Sequence, residues 1–191
     1  MAPKQKITKE MILETGFELA RKNGIKSVNS RNIATELSCS TQPVFSQFAT
    51  MEELKKAVFD YACEKCIDEI MENKDKKNFL NLTARWYLNL LRNEKNLYRL
   101  IYFSFGFERN SVIEMMLSYR SNQQMISNLQ SNYSLNEKQC GDILMRTFSL
   151  LHGFGSLIAF NDLQISDDEI LDLVKKTVIE MTQGAVKDKE G

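Results

Sequence analysis

The sequence predicts an all-α protein of about nine helices, on three observations. Its 191 residues include only 2 prolines and 8 glycines, so few residues interrupt helices. Apolar residues recur at helical spacing along the chain, and no segment alternates apolar and polar residues long enough to predict a strand. A content of 43% hydrophobic and 26% charged residues is typical of a soluble globular protein that can bury a sizeable core.

The first predicted helix spans residues 8–23, with Thr8 as its N-terminal cap and Gly24 as its end. Helical spacing gives it one apolar or small face, formed by Ile12, Gly16, Leu19 and Ala20. This face predicts that the helix packs against the rest of the N-terminal region.

Residues 29–48 show the spacing of a helix-turn-helix. A short helix over 30–37, capped by Asn29, precedes a tight turn and a helix over 41–48, capped by Ser40. The side chains predicted to face inward are Ile33, Ala34, Leu37, Val44, Phe45 and Phe48. An ordinary helical hairpin with a polar exposed face would show the same pattern.

The remaining helices follow from capping residues and periodicity. Thr50 and Glu53 have the spacing of a capping box, which predicts a longer helix, and the polar residues 73–78 predict a loop. Later helices are predicted near 78–92, 95–105, 110–131, 137–160 and 167–183. Two of them begin with capping pairs, Asn136 with Gln139 and Ser166 with Glu169.

The helix after Ser40 carries short polar side chains that suit DNA. The residues predicted to face DNA are Arg31, Ser40, Thr41, Gln42, Ser46, Gln47 and Thr50. Gln42 is the best candidate for base recognition, because its amide can pair with adenine at two atoms. The net charge is zero, but residues 1–48 hold seven basic and four acidic side chains, which favours an anionic partner.

The chain resembles the TetR family of bacterial transcriptional regulators over roughly residues 8–58. The matching residues are Ile12, Leu19, Gly24, Arg31, Ile33, Ala34, Ser40, Val44, Phe48, Glu52 and Leu54. The resemblance implies a DNA-binding domain over 1–50, whose third helix enters the major groove, and an effector-binding and dimerisation domain over 51–191. It implies a homodimer, most often a repressor, that leaves a palindromic double-stranded DNA operator when the effector binds.

The chain departs from the family pattern at several positions. Gly16 stands where the family usually has Ala, and Ser38 stands where it has the turn Gly. Phe45 and Met51 replace a frequent Tyr and Lys, which removes two phosphate contacts and predicts modest affinity at high salt. The departures at Phe45 and Met51 leave one alternative open, a helical protein-interaction module that has lost DNA binding.

The second domain is rich in aromatic residues and Met, which predicts either a packed core or an effector pocket. The pocket candidates are Trp86, Tyr102, Phe105, Met115, Tyr119, Phe148 and His152. They suit a small apolar or aromatic effector. Gly153 and Gly155, in a predicted helix, indicate a close helix–helix approach, and helices 137–160 and 167–183 are the predicted dimer contacts.

Other classes of function find little support in the sequence. It shows no phosphate-binding loop, nucleophile elbow or metal triad, so we expect neither an enzyme nor a cofactor. Cys63 and Cys66 have metal-like spacing, but they lie on a predicted helix without a second ligand pair. Unbroken apolar runs are short and no secretory signal is evident, which predicts a cytoplasmic protein without a membrane partner.

Overall fold

The computed structural model describes residues 6–72, 79–104, 120–161 and 163–187. These residues form nine α-helices and no strand, which confirms the all-α prediction. The helices are α1 (Lys9–Asn23), α2 (Ser30–Glu36), α3 (Gln42–Gln47), α4 (Met51–Met71), α5 (Phe79–Asn93), α6 (Lys95–Phe103), α7 (Arg120–Tyr133), α8 (Glu137–Asn161) and α9 (Asp167–Lys187). Most of the predicted helix 110–131 lies outside the described residues.

The chain divides into two compact units. The first comprises residues up to Asp68 and the segment that begins at Asn93, so it contains α1–α3, most of α4, and α6. The second comprises Glu69–Arg92 and the C-terminal helices. The functional division at residue 50 stays a prediction, since contacts alone assign no function.

The first unit is built on α1. The Thr8 side chain caps its start by accepting a hydrogen bond from Met11, and Gly24 ends it at a φ of 80°, a region that favours glycine. At this end, the Arg21 guanidinium bonds both carboxylate oxygens of Glu94, at 2.5 and 3.0 Å. The Asn96 amide donates to the carbonyl of Lys22, at 2.8 Å, so the start of α6 also satisfies the end of α1.

The apolar face of α1 packs on α2 and α4. Ile12 and Ala20 are fully buried, as are Ile33 of α2 and Val58 of α4. Gly16 lies in this face, where a Cβ would come within 2.6 Å of Val58 Cγ2. The glycine therefore permits a close approach of α1 to Val58 of α4, beside Ile33 of α2.

The second unit has its own core between α5, α7, α8 and α9. Its buried cluster includes Ile70, Met125, Ile126, Leu135, Cys140, Ile143 and Leu144. Both predicted capping pairs form, because Gln139 and Glu169 exchange hydrogen bonds with Asn136 and Ser166 at 2.9–3.3 Å. These caps fix where α8 and α9 begin.

Candidate functional site

The turn between α2 and α3 is a tight, fully hydrogen-bonded structure. The Asn29 side chain caps α2 by accepting from the backbone N–H of Asn32, at 3.0 Å. Ser38 adopts a φ of 50°, so this turn places an L-residue in the left-handed region where the TetR pattern has glycine. The N–H groups of Ser38 and Cys39 donate back to α2, at 3.1 and 2.9 Å. These two hydrogen bonds close the C-terminal end of α2 and define the start of the turn.

Helix α3 is anchored by two side chains, Val44 and Phe48, which are 0% and 1% exposed. Positions i and i+4 lie on the same face of a helix, so both point into the first unit. Gln42, Phe45 and Ser46 lie on the opposite, exposed face. The helix thus presents a short surface to solvent while its other side is held in the core.

Two sequence predictions for α3 are wrong. Phe45 does not face inward but is 52% exposed, because helical spacing rotates it away from Val44 and Phe48. Ser40 does not cap the helix: the cap position belongs to Thr41, and no side chain bonds the first N–H groups. Pro43 occupies the first turn, where its missing N–H leaves no intrahelical bond unmade.

The predicted DNA-facing residues lie at the surface of this one segment. Arg31, Ser40, Gln42, Ser46, Gln47 and Thr50 are exposed, and Thr41 is half-buried. Ser46 donates its hydroxyl proton to the carbonyl of Pro43, at 2.8 Å, so its oxygen can still accept from a donor such as a base amino group. Thr50 instead accepts from the N–H of Glu53, at 3.0 Å, which leaves its O–H available to a phosphate oxygen.

Sequence reasoning missed Lys9 as a member of this surface. Its ammonium lies 5.3 Å from the centre of the Phe48 ring, which places a cation from α1 beside the end of α3. The cluster of Lys4, Lys6 and Lys9 near the N-terminus was the available indication. Lys9 and Arg31 provide positive charge on this side of the unit, although the exposed Glu52 and Glu53 moderate it.

The effector-pocket candidates do not form a single group. Phe105, Met115 and Tyr119 lie outside the described residues. Tyr102 belongs to the first unit, where its ring lies 5.2 Å from that of Tyr98. Trp86 belongs to the second unit and donates its indole N–H to Glu69, at 3.2 Å.

Phe148 and His152 do lie together, with Tyr87 as a partner that the sequence did not indicate. The rings of Phe148 and His152 are 4.3 Å apart, and Tyr87 Oη lies 2.9 Å from His152 Nδ1. Burial lowers the pKa of His152, which disfavours the charged form of the ring. The Tyr87 hydroxyl and Nδ1 of His152 share a hydrogen bond in which either group can be the donor, depending on the histidine tautomer.

The second unit also contains a cavity of about 410 Å³ between α5, α7, α8 and α9. Most of its wall is apolar and includes Leu80, Met125, Leu144 and Val178. Its polar groups include Asn81, Asn132 and Lys175. None of the described pocket candidates lines it, because Trp86, Phe148 and His152 occupy other positions of the same helices.

Helices α8 and α9 expose apolar side chains and glycine. Leu157 and Phe160 of α8 are 46% and 72% exposed, and Leu173 and Ile179 of α9 are also exposed. A Cβ built at Gly153 would have no described atom within 4 Å outside its own segment of α8, so the close helix–helix approach expected at Gly153 is not made within the described chain.

By length and composition alone α8 could cross a membrane, a test that core helices of soluble proteins also pass. The sequence prediction considered only unbroken apolar runs. Polar residues break those runs in α8, although the mean hydropathy of the helix is high.

The cysteines of the described chain are free thiols, and none belongs to a cluster of potential metal ligands among the described residues. Burial raises the pKa of Cys63 to about 11, and Cys66 is buried. A thiol with so high a pKa is a poor nucleophile at neutral pH, which disfavours a redox role for Cys63.

Comparisons with known proteins show the fold. No family model and no curated protein matches the chain. Among solved structures, the chain is similar to the multidrug binding protein EbrR, in a crystal structure with imidazole, at a TM-score of 0.50 and 12% identity. The match covers 92% of this chain and 95% of that one, so the similarity extends over both units.

Proposed function

We propose that this chain is a TetR-like DNA-binding transcriptional regulator, a cytoplasmic repressor that acts as a homodimer on a palindromic operator. The observation that carries the proposal is the exposed polar face of α3, held by buried Val44 and Phe48 and by the bonded turn at Ser38. A rigid helix that presents amides and hydroxyls suits base edges in a major groove. The fold similarity to EbrR supports the same proposal.

The roles within the surface follow from the donors and acceptors that each side chain retains. The amides of Gln42 and Gln47 make no hydrogen bond to another described residue, so both can bond outward. Gln42 pairs with an adenine, while Gln47, Thr50, Arg31 and Lys9 hold phosphates on either side. The base contact by Gln42 determines sequence preference, and the phosphate contacts contribute affinity that falls as the salt concentration rises.

A mobility-shift assay with the DNA upstream of the protein's own gene tests the proposal. We expect a sequence-dependent, salt-sensitive complex, which Gln42→Ala weakens about tenfold to a hundredfold. Gln130→Ala is the matched control, because Gln130 is an exposed glutamine of α7 in the other unit. Absence of any sequence-dependent complex, or equal effects of the two substitutions, refutes the proposal.

The homodimer places two α3 helices about 34–36 Å apart, the distance between successive major grooves on one side of a duplex. We propose that α8 and α9 form its interface, since they expose Leu157, Phe160 and Leu173. Phe160→Glu should lower the mass measured by light scattering to that of one chain. Lys138→Glu, an exposed change on the same helix, should leave the mass at two chains; a mass unaffected by Phe160→Glu contradicts this interface.

We further propose that a small effector with a large apolar part binds the second unit and releases the DNA. Binding would favour a dimer with a spacing that no longer fits the grooves, which is a shift between two populations. A reporter gene placed under the operator distinguishes repression from activation. Repression requires that deletion of the regulator raises expression.

A second candidate function is a protein-interaction module, favoured by the exposure of Phe45 on α3. In that case Phe45→Ala abolishes binding to a protein partner, while Gln42→Ala does not. Under the main proposal both substitutions weaken DNA binding.

A further inference from the structure

The cavity of the second unit combines an apolar wall with one charged group. Leu80, Met125, Leu144 and Val178, contributed by all four surrounding helices, form much of the wall. Among the described residues that line the cavity, Lys175 is the only basic one, and none is acidic. A ligand that enters therefore meets a low-dielectric wall and a single cation.

Lys175 is available to such a ligand. It makes no ion pair with a carboxylate of the described chain, whereas the adjacent Lys176 bonds Asp172 at 2.6 Å. Asn81 also lines the cavity, and its side-chain carbonyl accepts from Arg85 at 2.8 Å, which leaves its amide N–H₂ available to donate. A cation and an amide donor together are the groups that recognise a carboxylate.

We propose that the cavity binds a monoanionic amphiphile, an alkyl or aryl carboxylate of medium length, with its acid group at Lys175 and its apolar part against the wall. The cavity volume of about 410 Å³ lies within the range of small-molecule sites, about 300–1,000 Å³. One lysine neutralises one negative charge, so a polyanion would leave charge uncompensated in an apolar site. A cationic amphiphile would meet repulsion from Lys175 instead.

This inference rests on the proposed function only in assigning the ligand as the effector, since binding itself can be measured without DNA. Titration calorimetry of the full-length protein compares three probes that share a ten-carbon alkyl chain and differ in the head group: decanoate, decanamide and decylamine. We expect decanoate to bind at least tenfold more tightly than decanamide, and decylamine not to bind.

Lys175→Gln should weaken decanoate binding at least tenfold and leave decanamide binding unchanged, because only the acid uses the charge. Lys175→Arg should restore decanoate binding. Lys176→Gln is the matched control and should have no effect, because the ammonium of Lys176 is held by Asp172 outside the cavity lining. Both lysines are exposed, so none of these variants removes a buried contact.

Several outcomes overturn the inference. They are no binding of decanoate, equal binding of acid and amide, or equal effects of Lys175→Gln and Lys176→Gln. A change of oligomeric mass in Lys175→Gln without a change in decanoate affinity would assign the cavity to an interface between chains instead. If the protein binds its operator but not decanoate, the ligand inference fails alone; if it binds decanoate but no DNA, the proposed function fails alone.

Discussion

Gly16→Ala restores the residue that the TetR pattern usually has at this position, and we expect it to destabilise this protein. The new Cβ would lie 2.6 Å from Val58 Cγ2, 3.7 Å from Val58 Cγ1 and 3.8 Å from Ile33 Cδ1. Carbon atoms pack best at about 3.5–4.0 Å, so the first contact is about 1 Å too short. Val58 is β-branched, helical and fully buried, so it has few alternative rotamers.

Two effects of opposite sign decide the magnitude. Alanine is favoured over glycine inside a helix by about 1 kcal/mol, whereas an extra methyl group in a packed core costs about 1–3 kcal/mol. The free energy of unfolding should therefore fall by about 1 kcal/mol. The movement that relieves the clash separates α1 from α4 and shifts Ile33 of α2, so DNA affinity should fall as well.

Urea unfolding followed by circular dichroism measures the change. In a Val58→Ala background the clash disappears, so Gly16→Ala should become stabilising there, a coupling of about 1–3 kcal/mol. Gly184→Ala is the matched control, since no described atom outside its helix segment crowds a Cβ there, and it should stabilise by up to about 1 kcal/mol. If Gly16→Ala stabilises the wild-type chain as much as Gly184→Ala does, the packing argument is refuted.

Three further predictions concern the turn, the exposed face of α3 and the histidine. Ser38→Gly should raise the free energy of unfolding by about 1 kcal/mol in the same urea assay, because glycine adopts a φ of 50° without strain; an unchanged midpoint contradicts this. Phe45→Ala should weaken operator binding about fivefold in a mobility-shift assay, because about half of the phenylalanine side chain is exposed and available to bury against DNA. An unchanged affinity would exclude Phe45 from the DNA contact. The pKa of His152 is lowered in the folded state, so its charged form is disfavoured there, and stability should fall as the pH drops below 6.5. His152→Gln should remove that part of the pH dependence of the melting temperature, and an identical pH profile would exclude His152 as its source.

Local chemistry explains why much of the fold could be predicted. A helix cap needs only residues three positions apart, so the bonds at Thr50, Asn136 and Ser166 follow from adjacent sequence. The inward positions of Val44 and Phe48 follow from helical spacing in the same way. Phe45 differs from its predicted inward position because apolar character alone does not imply burial, and its position on α3 faces solvent.

The second unit was less predictable because its site depends on which helices become neighbours. Aromatic content indicated Trp86, Phe148 and His152, yet the cavity is lined by residues of four helices that are distant in sequence. Tyr87 meets His152 across 65 residues, a partnership that no local spacing encodes. Resemblance to a family likewise covers the N-terminal helices and says little about such contacts.

The sequence alone therefore determined the helical class, the capped starts of several helices and the polar character of α3, since each depends on residues within about one helical turn. Tertiary structure decided the rest: that Gly16 is required by Val58, that Lys9 lies beside Phe48, and that Lys175 faces an apolar cavity. Those properties arise from the packing of side chains on different helices. The volume and charge of a side chain are set by the sequence. The fold decides which neighbours pack against that side chain and which groups pair with its charge.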